Sequence, residues 1–131
     1  MKIQINPFKN VKLTESIMEN PFPQIITNLP EADIPFSGVK GWISQNVDHQ
    51  IVFLEIEAIG KVAEHSHCAQ WGIVVEGEIN LTIGGITKTY AKGDSYYIPD
   101  GVVHSAVFKT KTWAIDYFAD NKRYLPKEDK K

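Results

Sequence analysis

From Ile51 to Phe118 the chain is a succession of short β-type runs, each closed by glycine or proline, and few folds accept that pattern. Ile51 to Glu57 is rich in β-branched and aromatic residues, and Ile73, Val74 and Val75 form a buried-strand run ended by Gly77. Ile79, Leu81 and Ile83 alternate with Asn80 and Thr82; Gly84 and Gly85 then supply a two-residue hairpin turn. Ile86, Lys88 and Tyr90 alternate with Thr87 and Thr89 on the return. Gly93 and Asp94 mark the next turn, Ser95 to Ile98 the next strand, and Pro99 to Gly101 its end. The segments His104 to Phe108 and Lys111 to Phe118 complete the series. Strands this short and this regularly interrupted are expected to form an all-β antiparallel sandwich or barrel.

Residues 1–50 carry Pro7, Pro21, Pro23, Pro30 and Pro35, with little helical periodicity beyond a turn around Thr14 to Glu19. They are expected to be an arm with one or two edge strands, Gly41 to Ser44 among them, that covers the barrel core of residues 51–119. Residues 120–131 read as a charged tail, frayed from Pro126 onward. With 131 residues the chain suits a single domain with one hydrophobic core.

A net charge of −2, with no Lys/Arg cluster before residue 122, argues against a nucleic-acid partner. No signal-peptide pattern and no long apolar run are visible, so a cytoplasmic protein without membrane contact is expected. The single cysteine, Cys68, permits no intramolecular disulfide.

Three of the four histidines fall in two short segments. His65 and His67 are two apart, so on one strand both rings share a face; Gln70 follows closely and His104 arrives from a later strand. Imidazole nitrogens with one amide oxygen suit a divalent transition metal ion such as Mn, Fe, Co, Ni or Zn. By parity Glu64 faces away from His65, and Cys68 faces away as a free thiol. His49, beside Asp48 in a loop, reads as a surface residue.

These segments resemble the two motifs of the cupins. Gly60, His65, His67, Gln70 and Gly77 fill the places of the first motif, and Gly93, Pro99, Gly101 and His104 those of the second. The resemblance implies a double-stranded β-helix, or jelly roll, with His65, His67, Gln70 and His104 as metal ligands. The departures are a first interval one residue short, Gln70 where Glu is usual, and Phe108 where the second motif often has Asn. Three neutral imidazoles and a neutral amide leave the ion's charge uncompensated, which favours an anionic small-molecule ligand.

A further likeness lies in the stretch from Ile115 to Tyr124. The cupins that linearise unsaturated uronates carry a His-His-Gln-His ligand set and an Asp-X-Phe followed by Arg. Asp116 and Phe118 match the first pair; Lys122 occupies the Arg position, with Arg123 next. That likeness implies Asp116 as general acid/base and Arg123 or Lys122 as the holder of a substrate carboxylate.

The function expected is therefore a metalloenzyme acting on a small carboxylated or sugar-acid-like molecule by Lewis-acid catalysis. An oxygen-dependent dioxygenase and a non-catalytic ligand-binding module are the alternatives. Gln70, Gly72 and Val74 should line the barrel, leaving Trp71, Ile73 and Val75 on an outer apolar face. That face needs the N-terminal arm or a second subunit as cover, so a homodimer is expected.

Overall fold

Residues 19–128 are described by a computed structural model. A one-turn helix α1 (Gln24–Thr27) precedes nine strands: β1 (Val39–Gln45), β2 (Gln50–Ile56), β3 (Gly60–His65), β4 (Gln70–Glu76), β5 (Glu78–Ile83), β6 (Ile86–Ala91), β7 (Ser95–Ile98), β8 (His104–Phe108) and β9 (Thr112–Phe118). They form a five-stranded sheet ordered β1-β2-β9-β4-β7 and a four-stranded sheet ordered β3-β8-β5-β6. Every pairing is antiparallel. This is the all-β antiparallel architecture expected from the strand pattern, and the jelly roll that the resemblance implies.

The turn chemistry explains the β5–β6 hairpin. Ile83 pairs with Ile86, leaving Gly84 and Gly85 as the whole loop. Their φ values of 56° and 86° are both positive, which two adjacent glycines adopt without a Cβ clash.

Alternation decides which side chains enter the barrel. Along β4, Gln70, Gly72 and Val74 are buried while Trp71 is exposed, as parity requires. Antiparallel register then extends each choice across the sheet. Val52, Asp116, Gly72 and Tyr96 form one inward row, and Gln50, Phe118, Gln70 and Ile98 the next. Ile51, Tyr117, Trp71 and Tyr97 form an outward row between them. Inside, Val52, Leu54, Val74, Leu81, Ile98 and Phe118 belong to the main core.

A second core lies outside the five-stranded sheet. Phe22 packs edge-on against Trp42 and Phe53, at centroid distances of 6.2 and 5.5 Å, and Trp113 is fully buried beside them. Phe22 thus covers one end of the outer face. β1, which contains Gly41 to Ser44, is the edge strand expected there: it ends the five-stranded sheet and pairs with β2 from Val39 opposite Ile56 to Gln45 opposite Gln50. One expectation needs correction. Pro126 and Lys127 do not fray: Pro126 bridges to Ala32, and the Lys127 amide donates to the Glu31 carbonyl at 2.8 Å. The turn expected around Thr14 to Glu19 lies, apart from Glu19, outside the described residues. Among the described residues no helix is long and apolar enough to cross a membrane.

Candidate metal centre

His65 ends β3, His104 opens β8 and Gln70 opens β4, while Phe118 and Ile98 end β9 and β7. Antiparallel pairing gathers all of these at one end of the barrel. His65 stands opposite His104, and a bulge between Val62 and His65 gives β3 an extra residue there. The bulge resets the alternation, so Val62 and His65 both line the cavity despite their odd spacing, and Glu64 stays exposed.

His67 corrects the parity argument. It lies beyond β3, in the loop leading to β4, so shared strand parity is not what brings it beside His65. The loop is instead held by backbone hydrogen bonds. Gly101 donates to the His67 carbonyl and Ala119 to the Ala69 carbonyl, both at 2.9 Å.

The ring nitrogens are sorted by carbonyl groups. Nδ1 of His65 lies 2.9 Å from the Ala63 oxygen, Nδ1 of His67 2.8 Å from that of Cys68, and Nδ1 of His104 2.9 Å from that of Val102. A carbonyl only accepts, so in the neutral rings Nδ1 carries the proton and Nε2 offers its lone pair. The three rings place ligand atoms within 4.8 Å of one another, and Nε2 of His67 and His104 are 3.1 Å apart. Two lone pairs facing at that distance repel unless a cation stands near both. Ligand nitrogens about 2.1 Å from one ion, at angles between square and tetrahedral, would be roughly 3.0–3.4 Å apart, so the observed spacing fits. Burial pushes the pKa of His67 down to about 4 and also lowers that of His104, so these two rings face the centre neutral at ordinary pH. His65, His67 and His104 could hold a metal ion.

Gln70 is oriented from behind. Its Nε2 donates to Oδ2 of Asp116 at 2.9 Å, and the Tyr96 hydroxyl donates to Oδ1 at 2.6 Å. With its NH2 engaged by a carboxylate, the amide keeps its oxygen free as a lone-pair donor, on a side chain that lines the same cavity as the histidines. Asp116 is buried, and desolvation pushes its pKa up to about 7 against the two hydrogen bonds and the charge of Arg123. Gly72 sits between Asp116 and Tyr96 in the sheet, and any Cβ there would collide with both side chains. Sequence reasoning assigned neither Gly72 nor Tyr96 a part in this contact. A glycine inside a strand was the available signal of close approach.

The segment after β9 is fastened by a buried Gln50. Its Nε2 donates to the Tyr124 carbonyl at 2.8 Å, and its Oε1 accepts from the Tyr124 amide at 3.0 Å. This seats Arg123 against the rings of Phe118 and Tyr124, with Cζ 5.6 and 4.4 Å from their centroids. Arg123 lines the cavity, and its buried Nε has no hydrogen-bond partner among the described residues. Lys122 is exposed and does not line the cavity. Cys68, expected to face away, packs half-buried against the inner core, and burial raises its thiol pKa. His49 is at the surface, 2.7 Å from Asp48 and stacked on Tyr117. Together the lining residues enclose a small cavity of about 100 Å³ that opens to solvent.

An antiparallel jelly roll with three converging imidazoles at one end defines the class: a β-barrel protein whose histidines could hold a metal ion. Residues 51–115 match the Cupin_2 family, a cupin domain, and the chain is a small cupin. It is similar to an RmlC-like cupin from Shewanella frigidimarina, at 28% identity and TM-score 0.65 over 73% of this chain and 88% of that one. KdgF from Halomonas sp. aligns at 22% identity and TM-score 0.63, over 70% and 87% of the two chains. Salicylate 1,2-dioxygenase from Pseudoaminobacter salicylatoxidans aligns at 18% identity and TM-score 0.59, over 66% of this chain and 26% of that one. The last two likenesses bear on the fold alone. No curated protein matches the sequence closely.

Proposed function

We propose that this cupin is a metal-dependent enzyme acting on a small carboxylated molecule, with one divalent transition metal ion held by His65, His67, Gln70 and His104. The observation that carries the reading is the convergence of three Nε2 atoms, each with its Nδ1 on a backbone carbonyl, in the cavity that Arg123 also lines. An ion there supplies Lewis acidity toward a carbonyl or hydroxyl oxygen.

The chain's own residues supply the rest. The four ligands are all uncharged, so an anion is the favoured companion in the site. Arg123, with Nε unpartnered and its plane packed on two rings, is suited to hold a carboxylate, a geometry that a lysine cannot copy. Lys122, exposed and outside the cavity lining, has no part in this reading. Asp116, with a pKa of about 7, is matched to proton transfer near neutral pH. It is also the group that orients Gln70, so both roles meet in one carboxyl. A cytoplasmic setting and a homodimer, formed through the exposed row of Tyr117, Trp71 and Tyr97, belong to the same proposal.

The test is turnover of a panel of small organic acids by metal-loaded protein, with oxygen uptake followed in parallel. Turnover without oxygen uptake, lost in Asp116→Asn and Arg123→Ala while metal is retained, is the expected result. Turnover that consumes oxygen in step with substrate would replace this reading with an oxygenase, and turnover undiminished in Arg123→Ala would remove the carboxylate holder.

A further inference from the structure

The polar groups of the cavity are concentrated at one end. Beyond them the wall is made by Leu54, Ile56, Val62, Leu81, Ala106 and Phe108. His104, Ala106 and Phe108 alternate inward along β8, so this strand runs the length of the apolar wall. From His104 to Phe108 it advances about 13 Å at about 3.3 Å per residue. The polar side chains nearest that wall are already engaged: the Tyr96 hydroxyl donates to Asp116, and Asp116 accepts from Tyr96 and Gln70.

A ring bearing a hydroxyl on every carbon would bury those groups against aliphatic carbon. Each hydroxyl left unpaired would cost roughly ten-fold in affinity. An alkyl or aryl body would instead gain from the same wall. We infer that the ligand of this cavity is a carboxylate with an apolar body, its acid end toward His104 and Arg123 and its body along β8 toward Phe108. The inference rests on the proposed reading of the polar end and chooses, within it, against a sugar acid.

Calorimetric titration of the metal-loaded chain with straight-chain acids from propionate to octanoate, with benzoate and with galacturonate, tests this. Affinity is expected to rise about four-fold per added methylene until the wall is covered. Benzoate is expected to bind, and galacturonate to bind at least ten-fold more weakly than hexanoate. A flat series, galacturonate as tight as hexanoate, or no binding of any acid would overturn the inference. Ala106→Leu, checked by thermal unfolding, is expected to move the optimum to shorter acids; an unmoved optimum in the folded variant would place the body elsewhere. The two readings fail separately. A chain-length dependence that survives both metal removal and Arg123→Ala at unchanged affinity would sink the reading of the polar end and leave the apolar body standing.

Discussion

Both oxygens of Asp116 accept hydrogen bonds from buried partners, and this makes its proton a structural variable. Its folded pKa of about 7 lies above the ordinary carboxylate value, so the folded state binds the proton more tightly than the unfolded chain. That contribution to stability is fully present below about pH 4 and is lost as pH rises through about 7. His67 has the opposite sign. Its folded pKa of about 4 lies below the ordinary 6.5, so its contribution is present above 6.5 and is lost as pH falls toward 4. The two oppose one another over most of the same window. Asp116→Asn removes the first, so urea unfolding of the metal-free variant should show a steeper loss of stability on acidification from pH 6.5 to 4 than the parent; parallel curves would contradict the assignment. Tyr96→Phe leaves Oδ1 of Asp116 buried without its donor and should cost about 1–3 kcal/mol of stability. It should also weaken metal binding, read by chelator competition, by up to the 10–100-fold typical of an outer-shell partner.

At the scale of elements, register rather than any one strand builds the site. Tyr96, Gly72 and Asp116 stand in one row across β7, β4 and β9, and only a glycine in the middle lets the outer two meet. Gly72→Ala should therefore destabilise by about 1–3 kcal/mol through overpacking and weaken metal binding along with it. An alanine variant with unchanged melting temperature and metal affinity would show that the row can shift without consequence. Gln50→Ala should free the Tyr124 backbone and with it Arg123, lowering affinity for a carboxylate ligand while leaving metal content intact.

These elements also show what could be read in advance. The hairpin at Gly84 and Gly85 and the inward set of β4 follow from local alternation, and both were legible. The histidines were legible because the chain has only four, and Gln70 because its spacing from them carries a motif. His67 reached the site by a different route, since loop hydrogen bonds from Gly101 and Ala119 are not encoded in a two-residue spacing. Tyr96, Gly72 and Gln50 could not be assigned, because their partners lie far off in sequence and the register that joins them is set by the closed barrel.

Over the whole molecule, the barrel presents two different faces of one sheet. Inward rows converge on the histidine end, while the outward row leaves Trp71, Tyr97 and Tyr117 at 43%, 58% and 39% exposure beside a second core already covered by Phe22. Light scattering should find a dimer that Trp71→Lys dissociates without unfolding the chain; a parent that is monomeric at high concentration would refute that interface. An ion held at the barrel end binds the folded chain alone, so metal at one hundred times its Kd should add about 2.7 kcal/mol to stability. The central claim is the ion itself, and metal analysis tests it most directly. Protein purified without added metal should carry about one divalent ion per chain, and folded His104→Ala should carry far less. The same metal content in both, or none in the parent even after loading, would contradict the site.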